Sequence, residues 1–186
     1  AENTEEETNY NLFIIPATVF GMPVTTITAN ALEGLEPNSI VIISDGIESI
    51  DPSAFEGNEN VVSVIMGDSV TNIGEKAFYG CKNLKSIVLS KGLTTIGQNA
   101  FANCTALTSL QLPEALTTVG EYAFANNTAL TELTVDGEKT VFAENTFDGC
   151  TALKIYGKTG SSAQDIAKTK NITFEELLPT VTEITV

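Results

Sequence analysis

Carboxylates and thiols are the groups in this chain whose types and spacing could do chemistry. Glu75, Glu121 and Glu144 recur in one column with Gln98 between them, and Asp45, Asp68 and Glu114 recur in another with Lys91. Stacked acids could hold calcium, which takes six to eight oxygens in a compact cage. Neither column carries the D-x-D-x-D-G grouping of a dedicated calcium loop. Hydrolysis by a carboxylate pair needs two acids at a set separation in a cleft, and a column of equivalent acids gives no pair a distinct role. The chain has no histidine, so the commonest general base and transition-metal ligand is missing. No glycine-rich phosphate loop or nucleophile elbow is present. The expectation is a protein without catalytic residues, metal or cofactor, hence no enzyme.

Three cysteines, Cys81, Cys104 and Cys150, suggest at first a disulfide with a spare thiol. They share a column with Leu35, Asn58 and Asn127, which points to a structural position inside a repeated unit. A Cys81–Cys104 disulfide or a metal site are the alternatives, but a metal wants more ligands at closer spacing. Buried, free thiols are expected.

The elements that would position these residues follow from a repeat. Phenylalanine recurs at Phe55, Phe78, Phe101, Phe124 and Phe147, each step being 23 residues, and Leu32 extends the series backwards. Aliphatic columns keep the same step: Ile27, Ile50, Ile73, Ile96 and Val119, then Phe142; Val41, Val64, Ile87, Leu110 and Leu133; Ile43, Met66, Leu89, Leu112 and Val135. No unit can bury its apolar residues alone, so neighbouring units must stack into continuous ladders. Ile87, Val88 and Leu89 read as a strand with alternate residues in and out, and successive strands would pair in parallel. The A-F-x-G segment suits a short helical turn. Gly34, Gly57, Gly80, Asn103, Asn126 and Gly149 share a column of residue types that tolerate a left-handed backbone, so φ > 0 is expected there.

These features define an α/β leucine-rich-repeat solenoid: parallel strands with short helical turns, a 23-residue period and a C-terminal helix-strand cap. Residues 1–10 are expected to be a disordered acidic N-terminus, 11–26 an N-terminal cap, and 27–155 the repeats, five full and one partial. Residues 156–178 form a C-terminal cap, with Ser161–Gln164 resembling a capping box that opens a helix to about Lys170. Its inner face would be Ala163, Ile166 and Ala167, and Ile172–Phe174 a closing strand. Residues 179–186 read as a tail or linker.

The units Ile73–Thr95 (IGEKAFYGCKNLKSIVLSKGLTT) and Ile96–Thr118 (IGQNAFANCTALTSLQLPEALTT) closely resemble the BspA-like, or Treponema pallidum type, leucine-rich repeats. The resemblance extends over roughly Asn11 to Phe174, including the flanking IPATVFGMPVTTI and YGKTGSSAQDIAKTKNITF. It implies a bacterial surface or secreted protein, with adhesion to host matrix proteins or other bacteria among the family's roles. The family pattern implies no catalytic residues.

Charge narrows the partners. Nine lysines face 24 acids, giving a net charge of −15, so a nucleic acid or other polyanion is repelled. No apolar run approaches the roughly 18 residues that cross a bilayer, so membrane insertion is not expected. The start AENTEEET holds no signal peptide; it fits a mature exported chain or a trimmed one. An extracellular or cell-surface monomer is expected, with an extracellular protein or glycoprotein as partner.

In a solenoid of this kind the side chains pointing out of the main strands form the concave, ligand-facing surface. Its central column reads Ile42, Ile65, Val88, Gln111 and Thr134, with Ile40 beside it, grading from apolar to polar. Those six residues are the candidate binding site. A covering segment or simple β-propensity would equally explain the apolar end. A threonine ladder, Thr71, Thr94 and Thr117, could offer hydroxyls to sugars but is also ordinary strand surface. A structural spacer in a larger surface protein remains the second functional reading.

Overall fold

The computed structural model describes residues 9–177. The expected disordered segment 1–10 lies outside the described residues except for Asn9 and Tyr10, and the expected tail 179–186 lies outside them entirely. The first coil holds β1 (Asn11–Ile15), β2 (Thr18–Val19), β3 (Met22–Pro23) and β4 (Thr26–Ile27). Five coils of two strands each follow. They are β5 (Ser39–Ile43) with β6 (Ser49–Ile50), β7 (Val61–Met66) with β8 (Asn72–Ile73), and β9 (Ser86–Val88) with β10 (Thr95–Ile96). Then come β11 (Ser109–Leu112) with β12 (Thr118–Val119), and β13 (Glu132–Val135) with β14 (Val141–Phe142). The chain closes with β15 (Lys154–Gly157), helix α1 (Ser162–Lys170) and β16 (Thr173–Glu176).

Longer strands stack in parallel along one face, in the orders β1-β5-β7-β9 and β11-β13-β15-β16. Short strands build a second face, β14-β12-β10-β8-β6-β4. The result is a β-solenoid, and the hydrophobic columns explain it: Val41, Val64, Leu133 and Ile155 point inward and are fully buried, while their strand neighbours face solvent.

Phenylalanines fill the centre. Phe55, Phe78, Phe101, Phe124 and Phe147 stack in order, with ring centroids 4.5, 5.0, 5.5 and 5.8 Å apart. Offset stacking of this kind adds to the burial of each ring. Close approach of the coils requires the glycine column beside the second face: a methyl group on Gly97 would lie 2.7 Å from the Glu75 nitrogen.

The third face is a run of turns. Within one coil Ala54 N–H donates to Asp51 O and Glu56 N–H to Ser53 O, while Ser53, Phe55 and Gly57 donate to Glu75, Ala77 and Tyr79 of the next coil. Alternate N–H groups therefore leave the coil, which a helix cannot allow, so the expected helical turn is realised as linked turns. Left-handed residues make the alternation possible, and the expected column supplies them at Gly57, Gly80, Asn103, Asn126 and Gly149. A second such column, Asn30, Ser53, Lys76, Asn99 and Tyr122, has φ of 55 to 60°, and apart from its two asparagines its residue types give no hint of it. Gly34 corrects the expectation, because its φ is not positive. Its turn keeps the internal bonds, Ala31 to Thr28 O, Glu33 to Asn30 O and Leu35 to Leu32 O, but among the described residues the N–H groups of Asn30, Leu32 and Gly34 make no backbone bond to the next coil.

At the C-terminal end α1 buries Ala163, Ile166 and Ala167, the expected inner face. The capping box is not formed as expected. Ser161 Oγ turns back to donate to Lys158 O at 2.6 Å, and Gln164 Oε1 accepts from Gly160 N–H at 2.8 Å. Gln164 thus satisfies the N–H one residue before the cap. Asn171, at φ 55°, ends the helix, with Ile172 N–H donating to Ala167 O. β16 then pairs in parallel with β15.

Candidate binding face

The thiols can be placed first, since they could have carried chemistry. Cys81, Cys104 and Cys150 are free and buried. Their Sγ atoms donate to Phe55 O, Phe78 O and Phe124 O at 3.1, 3.1 and 3.0 Å. Asn58 and Asn127 donate from Nδ2 to Leu32 O and Phe101 O in the same way. The column therefore caps the carbonyls of Leu32, Phe55, Phe78, Phe101 and Phe124 in the coil behind. Burial pushes the Cys104 thiol up to about 12 and Cys150 up to about 11, so neither is a nucleophile near neutral pH.

The threonine and aspartate ladders are likewise occupied by the backbone. Thr94 Oγ1 donates to Thr71 O at 2.9 Å and Thr117 Oγ1 to Thr94 O at 3.0 Å. Asp45 Oδ1 accepts from Asp68 N–H at 2.7 Å, and Asp68 from Lys91 N–H at 3.3 Å. The Lys91 ammonium, 3.0 Å from Asp68 Oδ2, holds that carboxyl below the usual carboxylate range. Each acid ties one coil to the next. Among the described residues no group of three or more His, Cys, Asp or Glu is arranged to hold a metal.

What remains is the outer surface of the long strands. Register aligns Ile14, Ile42, Ile65 and Val88 across β1, β5, β7 and β9. A second row aligns Leu12, Ile40, Ser63 and Ser86, with Ser63 Oγ and Ser86 Oγ 2.9 Å apart. Ile40 and Ile42 are half-buried, while Ile65 is 41% and Val88 57% exposed. No described segment covers them. Gln111 and Thr134 continue the row in the other sheet, followed by Tyr156 and Glu175.

Between the two halves the sheet is interrupted, for β9 and β11 share no ladder. Pro113, just past β11, has no N–H to offer where Gly67 and Asp136 donate to the coil behind. The inward residues flanking the seam, Ile87 and Leu89, are each 8% exposed where most of their counterparts are fully buried. A cleft of about 510 Å³ lies over the seam, lined by Val88, Lys91, Gln111, Pro113, Thr134 and Asp136 among others. Gln111 Nε2 donates to Asp136 Oδ2 across it at 2.7 Å. Three of the six candidate residues, Val88, Gln111 and Thr134, line this cleft, and the other three form the apolar stripe beside it.

Leu12 (63% exposed) and Ile14 (54%) belong to the same surface and were not found in the sequence. The first coil reaches β5 in 28 residues, pairing Asn11 with Ser39, and so escapes a search at 23. The likeness of NLFII to SIVII is the signal that could have revealed it.

Comparison with known proteins agrees with this architecture. A leucine-rich repeat protein of T. pallidum is similar at 24% identity with a TM-score of 0.60, covering 78% of this chain and 57% of that one. A leucine-rich cell surface protein of Faecalibacterium prausnitzii is similar at 31% identity and 0.63, covering 77% and 36%. The pneumococcal vaccine antigen PcpA is similar at 18% identity and 0.65, covering 84% and 45%. The chain thus spans 57% of the T. pallidum protein's length and less than half of the other two. No curated protein matches it. The model of the BspA type leucine-rich repeat region matches residues 25–154 in six copies, and the chain belongs to that family.

Proposed function

We propose that this protein is a cell-surface or secreted bacterial binding module, whose concave strand face captures an extracellular protein or glycoprotein. The observation that carries the reading is the uncovered apolar stripe Leu12, Ile14, Ile65 and Val88 beside the seam cleft. A soluble protein leaves such a contiguous patch where something docks. Engagement of the thiols, the threonines and the Asp45–Asp68 ladder in holding coils together supports binding rather than catalysis. Net charge of −15 directs the partner away from polyanions, and the acidic rim at Glu132 and Asp136 favours basic groups opposite the polar end. Among the described residues no helix is long and apolar enough to cross a membrane. Similarity to a leucine-rich cell surface protein of F. prausnitzii supports the location.

The test is a screen of the intact chain against immobilised matrix glycoproteins and a glycan array, with Ile42→Asp, Ile65→Asp and Val88→Asp combined in one variant. Saturable binding that the variant loses, with its thermal transition kept, is the expected result. Binding unaffected by the variant would move the site off this face. No binding on any surface would favour a spacer role within a larger surface protein.

A further inference from the structure

We infer that the free edge of β1 is a self-association surface, through which two copies of the chain join by antiparallel pairing of their β1 strands about Phe13. This differs from the monomer expected on sequence alone. Among the described residues β1 has β5 on one side and nothing on the other. Asn11 N–H donates to Asn38 O and Ile15 O accepts from Ser44 N–H, so the odd-numbered residues address β5. By strand alternation the N–H and C=O groups of Leu12 and Ile14 point to the open edge.

That edge lacks the devices that keep strands from pairing. It has no lysine, no bulge and no proline between Asn11 and Ile15. Residues 9–32 contain no charged side chain at all, in a chain of net charge −15. Glu2, Glu5, Glu6 and Glu7 precede that stretch, so it is along β1 itself that two copies meet without opposing like charges. The other end is guarded: Glu175 and Glu176 lie exposed on β16, Lys154 Nζ sits 2.8 Å from Glu175 Oε1, and α1 packs Ala163, Ile166 and Ala167 over the last coil. A head-to-tail stack that would grow without limit is thereby disfavoured, and a closed two-fold pair remains.

The local sequence suits that symmetry. With Phe13 facing its own copy, Leu12 of one chain lies opposite Ile14 of the other, and each such pair exchanges two N–H···O bonds, four in total. Leu12 and Ile14 would cover each other on the concave side. The two Phe13 rings, each 43% exposed now, would meet on the opposite side in a closely spaced, non-hydrogen-bonded pair. The concave sheets of the two copies then become continuous. A junction of five residues a side is smaller than the roughly 800 Å² per partner of a standard interface. Association is accordingly expected to be weak, in the range of about 10 µM to 1 mM.

Sedimentation equilibrium of the full chain from about 1 µM to about 1 mM should show the mass rising from 19.7 kDa toward twice that value and no further. Added salt should move the transition to lower concentration by screening the two acidic bodies. Leu12→Lys with Ile14→Lys should abolish the rise, both residues being exposed and their replacement harmless to the fold. Val141→Lys, on the exposed edge strand β14, should leave it unchanged. Amide exchange should slow at Leu12 and Ile14 in the concentrated sample. A mass of 19.7 kDa throughout, growth past a dimer, or unprotected Leu12 and Ile14 amides in an associated sample would each overturn the inference.

Discussion

Replacing Phe101 by alanine removes the middle rung of the aromatic ladder. The ring is fully buried, with Phe78 stacked at 5.0 Å on one side and Phe124 at 5.5 Å on the other. Burial of a ring this size and the cavity left behind together cost about 3–5 kcal/mol. Neighbours cannot collapse freely into the gap, because Cys104, Ala100 and Leu107 around it are themselves fully buried and held by column packing. Phe55, with a single stacked neighbour at 4.5 Å, should lose less on the same change. In urea, where the slope for small proteins is about 1–3 kcal/mol per molar, the Phe101→Ala midpoint should fall by roughly 2 M. Because stacked repeats communicate only through their neighbours, the transition should also broaden as the two halves of the solenoid uncouple. An unchanged midpoint would refute the ladder as the source of stability.

Three further outcomes follow from positions that bind the coils. Asn127→Cys should stabilise by about 1–2 kcal/mol, since Asn127 Oδ1 is buried without a partner and a cysteine keeps the bond to Phe101 O without it; a lower melting temperature would contradict this. Gly97→Ala should destabilise by about 1–3 kcal/mol, because its Cβ has no room against the Glu75 and Gly74 backbone; calorimetry showing a neutral effect would mean the coils can part at no cost. Native Cys104 should resist thiol reagents at pH 8 and react once unfolded. Its raised thiol means stability present below about pH 9 and lost as pH rises toward 12, by up to about 1.4 kcal/mol per pH unit relative to Cys104→Asn. Parallel alkaline denaturation of the two proteins would remove that reasoning.

Much of the fold was legible because side-chain burial is written in residue type. A phenylalanine, an aliphatic strand residue or a small alanine recurring at 23 residues can only stack on its equivalents. The cysteine column was legible for the same reason, with asparagine at the same position revealing a hydrogen-bonding task shared by both. Of the candidate site, the order Ile42, Ile65, Val88, Gln111, Thr134 was readable from strand alternation, but whether the row lay open was not. Exposure depends on what the rest of the chain leaves uncovered.

Backbone pairing was the part that residue types did not carry. Alternate N–H groups of the turns donate to the next coil at Ser53, Phe55 and Gly57, and the left-handed column Ser53, Lys76, Asn99 and Tyr122 serves that pattern whatever its side chains. The seam between β9 and β11, and the cleft over it, depend on whether main-chain groups of neighbouring coils come into register. Membership of Leu12 and Ile14 in the concave face depends on β1 finding β5 at a 28-residue register step. The sequence by itself determined which side chains could be buried and how often, since hydrophobicity and period are local properties. Only the tertiary structure decided which strand edges were paired and which face stayed open, because hydrogen bonds between coils join residues that no local pattern relates.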